Sequence, residues 1–138
     1  MPRPPEPLRH HELCFGCGQA NLFGLQLELS AREDGQGVEG RFFVKQDHQG
    51  PPGYAHGGVI AAALDEAMAL LLHSRDVLAV TARLEVDLRA PVPVGSYVAV
   101  TAAMAESSER RVVLEARAEG DDGVLAISRG TFARVSRP

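Results

Sequence analysis

Apolar and polar residues alternate with a period of two over much of this chain. In the stretch LQLELSA, from residue 25 to 31, Leu25, Leu27 and Leu29 fall on one face, which predicts a half-buried strand. A turn, EDGQG, follows at 33–37, and a second strand is predicted at 38–45. These two strands predict a hairpin.

One stretch breaks this period and predicts a long helix after a glycine-rich loop at 50–58. Residues 59–72 are apolar on every side except at Asp65 and Glu66, a pattern typical of a helix wrapped by protein. The stretch is shorter than the about 20 apolar residues of a bilayer span, and two central carboxylates would be costly in lipid. We therefore predict the buried axis of a domain and no membrane association.

Four more strands are predicted after the helix, at 80–90, 96–105, 111–119 and 124–135. In the first, alternation places Leu84 inward, together with Ala82, Val86 and Leu88, and places Thr81 and Arg83 on the outward polar face. The turns between these strands predict a meander. Six strands cannot easily cover a helix that is apolar all round, so we expect a second subunit to cover part of it.

Length and charge narrow the class of protein. The 138 residues suit one domain, predicted at 14–138, preceded by a proline-rich extended arm at 1–13. The formal net charge of −4 and the lack of any run of Lys and Arg exclude a nucleic-acid-binding role. The first residues lack the apolar segment of a signal peptide, so we expect a cytoplasmic protein.

The two cysteines form a C-x-x-C pair, Cys14 and Cys17, shortly after His10 and His11. A structural zinc site needs four ligands, and no second C-x-x-C follows, so no metal is predicted. Redox chemistry of the thioredoxin kind expects the pair between a strand and a helix, whereas the glycines here indicate a loop. The pair is interpreted as a tight loop in a reducing compartment.

Asp65 is the first candidate for chemistry. A carboxylate inside a buried helix is costly unless it is paired, hydrogen-bonded or facing a cleft. Its neighbours on the same stripe of the helix leave room for an approaching group; they are Ala61, Ala62, Met68 and Ala69. Either a neighbouring strand or second subunit satisfies Asp65, or it faces a site. Glu66 points about 100° away around the helix and is expected to be an outer or interface group.

The start of the helix is the second candidate. His56, Gly57 and Gly58 open it, so unpaired N–H groups and the positive end of the helix dipole meet there. Glycine also allows a carbonyl to approach the backbone closely. This combination predicts an oxyanion site.

The same residues carry a family resemblance. HGGVIAAALDE at 56–66 resembles the signature of the PaaI-type acyl-CoA thioesterases, and CFGCGQANLFGLQL at 14–27 and LRAPVPVG at 88–95 agree with it. The resemblance implies an α+β hotdog fold, an antiparallel six-stranded sheet wrapped around one long central helix. It also implies hydrolysis of an acyl-CoA thioester, with no cofactor, at the interface of a homodimer that assembles into a tetramer.

The resemblance also implies roles for single residues. The Gly57 N–H polarises the thioester carbonyl, and Asp65 acts as nucleophile or general base, a choice that the sequence leaves open. Asp65 lies about 12 Å along the helix from Gly57, so we expect it to serve the facing subunit's carbonyl. Thr81 stands where relatives carry a hydroxyl that holds the carboxylate or the water. His56 either orients the loop or caps the helix.

Substrate contacts are predicted around the helix. Gly50 stands where some relatives place an asparagine, whose role Gln49 or His48 could take. A tunnel for the acyl group is predicted along the helix and is lined by Val59, Ala62, Ala63 and Met68. The phosphates of CoA need basic partners; the candidates are Arg83, Arg89, Arg110, Arg111, Arg129 and Arg134.

Two alternatives stay open. A hotdog hydratase or dehydratase would need an Asp and a His close together in one loop-helix segment, whereas His48 precedes the helix and His73 ends it. A non-catalytic acyl-CoA-binding or sensing module would keep the fold and the glycines and lose the carboxylate, which this chain retains.

Overall fold

The structure is a computed structural model, and it describes residues 6–135. Residues 1–5 of the predicted arm and residues 136–138 lie outside the described part. The helix α1 spans Gly57–Ser74, and a single 3-10 turn, Gln46–His48, precedes it. The strands are β1 Glu28–Ala31, β2 Gly37–Phe43, β3 Ala79–Leu88, β4 Tyr97–Ser107, β5 Arg111–Gly120 and β6 Gly123–Arg134.

All six strands join one antiparallel sheet in the order β1-β2-β4-β5-β6-β3. The predicted β1–β2 hairpin is confirmed. The predicted meander after the helix is wrong, because β3 pairs with β6 and not with β4. The proline-rich connection at 89–96 therefore crosses from one edge of the sheet to its middle. On the way, Ala55 donates its N–H to Val92 O at 2.8 Å, which ties the connection to the start of α1.

The core lies between α1 and one face of the sheet. Leu64, Leu71 and six other helix residues are buried against the strands. Leu114 and Phe132 face them from β5 and β6. By length and composition α1 is long and apolar enough to cross a membrane. The sequence argument that it is too short is therefore wrong, and its packing inside the sheet accounts for its apolar character.

β1 is shorter than its pattern predicts, because the chain bends at Gln26, whose φ is +49°. Leu25 and Leu27 are nevertheless buried, as their alternation predicts. Their N–H groups bond to the carbonyls of Phe15 and Gly16, at 2.8 and 2.9 Å, and not to a strand. The N-terminal segment thus supplies the backbone hydrogen-bond acceptors that a neighbouring strand would supply to residues 25–27.

One side of α1 remains uncovered in the single chain. Gly58 is exposed, and Ala61, Ala62, Asp65 and Ala69 are only half-buried, although they lie in the middle of the domain. The neighbouring strand β3 is an edge of the sheet and exposes two large apolar side chains, Val80 and Leu88. The uncovered surface of the domain is therefore a stripe of α1 beside a free strand edge.

Candidate active site

The start of α1 leaves one backbone donor free. His56 precedes the helix in an extended conformation, with φ −63° and ψ 135°, and its Nδ1 accepts the N–H of Gly58 at 2.9 Å. Val59 N–H bonds to His56 O, also at 2.9 Å. Within residues 6–135, the N–H of Gly57 has no hydrogen-bond partner.

His56, Gly57 and Gly58, which the sequence predicts to form one oxyanion site, differ in their hydrogen bonding. His56 caps the helix, which is one of its two predicted roles. Gly58 is expected to present a free N–H, and this expectation is wrong because the His56 ring accepts it. Gly57 alone of the three keeps a free donor at the positive end of the helix dipole.

A cleft opens in front of Gly57. Its volume is about 340 Å³, and its walls come from the glycine-rich loop, the first turn of α1 and the connection after β3. A Cβ at Gly57 would come within 2.9 Å of Leu88 Cδ1, at the flexible end of that side chain. Tyr54 and Arg89 also line the cleft, and the sequence analysis did not connect Tyr54 with the site because no period marks a loop residue.

Asp65 and Thr81 meet on the uncovered side of the helix. The Thr81 hydroxyl donates a hydrogen bond to Asp65 Oδ1 at 2.8 Å. Strict alternation places Thr81 on the outward face with Arg83, and this placement is wrong. The β3–β6 register shifts between Thr81 and Arg83, as a β-bulge does, so the inward position passes from Ala82 to Thr81. Thr81 and Ala82 are both exposed in the single chain, so it is the hydrogen bond to Asp65, and not burial, that shows Thr81 facing the helix.

The surroundings of Asp65 change its acidity. Burial raises the pKa of the Asp65 carboxyl above its usual range, the hydrogen bond from Thr81 opposes that rise, and the negative charge of Glu66 adds to it. Removing a carboxylate from bulk water disfavours its ionised form. A carboxylate of this kind is a stronger base and nucleophile than one in water.

The residues predicted to bind substrate differ in how far they are exposed to solvent. Val59 and Ala62 are half-buried. Met68 is completely buried, with its thioether against Gly130 on β6, so its predicted place beside Asp65 is wrong. It lies three residues after Asp65, far enough around the helix to face the core. Gly50 lies beside His56, where a Cβ would come within 2.8 Å of His56 Cα.

Neither residue proposed to replace the missing asparagine is free to do so. His48 is buried; its Nδ1 accepts the Lys45 N–H at 3.0 Å, and its Nε2 lies 3.1 Å from Gly24 O. Gln49 Oε1 accepts the Gly53 N–H at 2.7 Å. Both side chains therefore brace the loop. Both nitrogens of His48 are engaged, so His48 itself is not free to act as the acid–base histidine of a hydratase.

Three of the six candidate arginines have other partners. Arg83 pairs with Glu85 at 3.2 Å, and both side chains are exposed. Arg129 pairs with Glu106 and Glu115, and Arg134 bonds to Ser107 and Ser108. Arg89 lies at the cleft, and its guanidinium has no hydrogen-bond or ion-pair partner among the described residues.

A second polar cluster surrounds Glu66, the residue after Asp65. His10, Cys14 and Cys17 contact the carboxylate of Glu66, which is mostly buried. Burial opposes ionisation of Glu66, but hydrogen bonds from His10, Cys17 and Cys14 outweigh it and lower its pKa. The C-x-x-C pair and His10 alone lack the fourth ligand of a structural zinc site, and Glu66, 49 residues after Cys17, lies close enough to be that ligand.

One protein family matches the part of the chain that carries the candidate site. A family model described as the thioesterase superfamily matches residues 52–127, more than half of the chain. The chain belongs to the thioesterase superfamily. The matched region contains the helix start, Asp65, Thr81 and the connection that closes the cleft.

Solved structures of similar proteins share the fold. A thioesterase superfamily protein, RHA08564, is 25% identical with a TM-score of 0.81; the match covers 88% of this chain and 60% of that protein. The chain thus spans less than two thirds of that relative's length. The BH2602 protein from Bacillus halodurans, solved with CoA, is 28% identical with a TM-score of 0.72, over 83% of this chain and 77% of that one.

A variant of the phenylacetic acid degradation protein PaaI from Thermus thermophilus is also 28% identical, with a TM-score of 0.64. That match covers 70% of this chain and 85% of PaaI. The resemblance to PaaI-type thioesterases and the predicted hotdog fold are therefore confirmed. The superfamily assignment does not by itself identify the catalytic residues.

Proposed function

We propose that this protein hydrolyses an acyl-CoA thioester, with Gly57 polarising the carbonyl and Asp65 of a second subunit promoting attack. The observation that carries the proposal is the free N–H of Gly57 at the mouth of a cleft. The proposal is also supported by the match to the thioesterase superfamily and by the similarity to the BH2602 protein, which was solved with CoA.

The Gly57 donor suits the chemistry of acyl transfer. As the thioester carbonyl is attacked, negative charge develops on its oxygen, and a fixed N–H at a helix N-terminus stabilises that charge without reorganising. A new C–O bond forms at the carbonyl carbon and the C–S bond breaks. The electron pair of that bond leaves with the CoA thiolate, which takes up a proton to become the free thiol.

Asp65 supplies the attacking half of the reaction. It either removes a proton from water or attacks the carbonyl itself to form an anhydride that water then opens. Thr81 fixes one carboxylate oxygen, which leaves Oδ2 for the proton or the carbonyl carbon. Both routes give the same products, a carboxylic acid and CoA.

The proposed site needs two subunits, because Gly57 and Asp65 of the same subunit are too far apart to act on one carbonyl. Gly57 and Asp65 are eight residues apart in α1, or about 12 Å. In a two-fold dimer each contact occurs twice, so if Gly57 of one subunit meets Asp65 of the other, both active sites are completed by the same interface. The uncovered stripe of α1 and the free edge of β3 supply a surface for this dimer.

Arg89 is proposed to meet a phosphate of CoA. It lies at the cleft that contains Gly57, and it has no competing acidic partner among the described residues. A guanidinium forms bidentate, charge-assisted hydrogen bonds with phosphate oxygens. Arg83, paired with Glu85, is less suited to this role.

The test is release of free thiol from a panel of aliphatic and aromatic acyl-CoA esters by the wild-type protein and by Asp65→Asn. The asparagine side chain would keep the shape and can still accept from Thr81, but it is neither a base nor a nucleophile. We expect turnover of some esters by the wild type and a loss of at least about 100-fold in the variant, with an unchanged circular dichroism spectrum.

A binding module would behave differently in the same experiment. If acyl-CoA esters bind to the wild-type protein, as measured by calorimetry, but none is hydrolysed, the catalytic proposal is wrong. If Asp65→Asn hydrolyses as fast as the wild type, thioester hydrolysis stands but the role of the carboxylate does not.

A further inference from the structure

A cluster of four potential metal ligands lies outside the residues used for thioester hydrolysis. It consists of His10, Cys14, Cys17 and Glu66, and their ligand atoms all lie within 4.8 Å of one another. We propose that these four side chains form a closed, tetrahedral zinc site that fastens the N-terminal segment to α1.

The spacing of the four ligand atoms fits a tetrahedral ion. Zn–S bonds of about 2.3 Å and Zn–N or Zn–O bonds of about 2.0–2.2 Å place neighbouring ligand atoms about 3.3–3.8 Å apart. His10 Nδ1 lies 3.7 Å from Cys14 Sγ and 3.8 Å from Cys17 Sγ. Glu66 Oε2 lies 3.2 Å from His10 Nδ1 and 3.0 Å from Cys14 Sγ. Only small side-chain movements would place an ion at the centre.

The donor atoms also favour zinc. Two cysteine sulfurs, one imidazole and one carboxylate form a mixed set of soft and intermediate ligands, which suits Zn²⁺ better than Mg²⁺ or Ca²⁺. Four protein ligands leave no open position, which is typical of a structural site. The site therefore differs in purpose from the open cleft at Gly57.

The backbone is shaped around the cluster. The N–H of His10 donates to Cys17 Sγ at 3.1 Å, the kind of outer hydrogen bond that supports a metal-bound thiolate. A Cβ at Gly16 would lie only 2.4 Å from Glu66 Cγ, so glycine is needed for the loop to reach the helix. Cys17 is completely buried, and the side chain of Glu66 is only 11% exposed.

The N-terminal segment has a structural need for such a link. Residues 9–27 contain no helix or strand, which is a long irregular stretch for a compact domain. Within this stretch, the carbonyls of Phe15 and Gly16 accept the N–H groups of Leu25 and Leu27, just before β1 begins. A metal that joins three ligands from this segment to one from α1 would hold it there.

The first test is the metal content of the full chain, purified without chelators and with any affinity tag removed. We expect about one zinc per chain. Protein stripped by a chelator under reducing conditions is then titrated with Co²⁺. Tetrahedral thiolate ligation predicts intense visible ligand-field bands and a thiolate-to-cobalt charge-transfer band in the near ultraviolet, both abolished by one equivalent of Zn²⁺.

Two variants and a matched control assign the ligands. Glu66→Gln and Cys14→Ser are expected to lose the stoichiometric zinc and alter the cobalt spectrum, whereas His11→Gln, at the adjacent histidine outside the cluster, is expected to keep both. The wild-type cobalt spectrum decides the question even if the variants fold poorly.

Two results would overturn the proposal. One is reduced wild-type protein that binds neither Zn²⁺ nor Co²⁺ near stoichiometry. The other is a cobalt spectrum without the charge-transfer band, which would place the ion away from the cysteines. A thioesterase that proved inactive would leave these readouts unchanged, so the two proposals fail independently.

Discussion

The hydroxyl of Thr81 donates to Asp65 Oδ1 at 2.8 Å, across the gap between the sheet edge and the central helix. Thr81 reaches the carboxylate only because the register of β3 shifts beside it. The irregularity therefore orients the residue proposed to promote attack. β-Bulges commonly re-aim a side chain beside an active site.

Removing this hydroxyl is predicted to slow turnover without weakening substrate binding. A hydrogen bond to a charged group is worth about 1.5–3 kcal/mol, so Thr81→Val should lower kcat by at least about 10-fold. KM should stay within about 2-fold, because Thr81 touches the carboxylate and not the substrate. Steady-state thiol release measures both constants.

Thr81→Ser provides the control, since it keeps the hydroxyl and removes only a methyl group. We expect it to recover most of the wild-type kcat. If the serine variant is as slow as the valine variant, a hydroxyl at this position is not sufficient for turnover, and loss of the hydrogen bond alone does not explain the slow valine variant.

Arg89→Ala is predicted to raise KM for acyl-CoA by about 10-fold, because a charge-assisted contact with a phosphate would be lost. kcat should change little. Arg117→Ala is the charge-matched control, since Arg117 pairs with Glu119 on β5. An equal rise in KM in both variants would indicate a general effect of net charge and exclude a specific role for Arg89.

His56→Ala is predicted to lower the free energy of unfolding by about 1 kcal/mol, the usual cost of losing a side-chain cap. The reason is that Gly58 N–H would lose its acceptor, His56 Nδ1. His56→Asn should recover stability, because asparagine is a good N-cap residue. Urea unfolding measures the difference, and equal stability of all three proteins would show that the cap contributes nothing.

The sequence predicted the helix and the strands well, but it predicted less well which strands are neighbours in the sheet. Alternation identified the buried faces of β1 and β5, and the all-round apolar run identified α1. Alternation carries no information about which strands pair, so the crossover from β3 to β4 was missed. It also assumes an unbroken period, and the shift beside Thr81 breaks it.

The residue clusters also show that the sequence reveals local contacts better than contacts between distant elements. Cys14 and Cys17 are visible in the sequence as a pair, but Glu66 belongs to another element and carries no signal that links it to them. The His56 cap has the opposite character: it is a local contact between residues two apart, so a sequence pattern can suggest it. Contacts between elements distant in the chain are the part that required the structure.

Gly57→Pro offers a direct test of the oxyanion donor. Proline is favoured at the first position of a helix, and the extended conformation of His56 suits a residue before proline. The variant should therefore fold, yet it lacks the N–H. We expect kcat to fall by about 100-fold to 1000-fold.

Gly57→Ala is the matched control, because it keeps the N–H and adds only a Cβ near the flexible end of Leu88. It should retain far more activity than the proline variant. Comparable losses in both would mean that space in the cleft, and not the donor, is what the glycine provides.

The composite site makes a prediction that no single variant can test. If Asp65 of one subunit serves Gly57 of the other, Asp65→Asn and Gly57→Pro damage different halves of each site. A heterodimer of the two would contain one site with both defects and one site with neither, because a two-fold axis exchanges the halves. Two inactive proteins should then restore activity when they share a dimer.

Co-expression with two different affinity tags isolates such heterodimers for thiol-release assays. We expect about half the wild-type kcat per dimer, since one of two sites is intact. Heterodimers as inactive as the two parents would place Gly57 and Asp65 of each working site in the same subunit. The about 12 Å between them along one helix would then have to be bridged by a water or by the substrate itself.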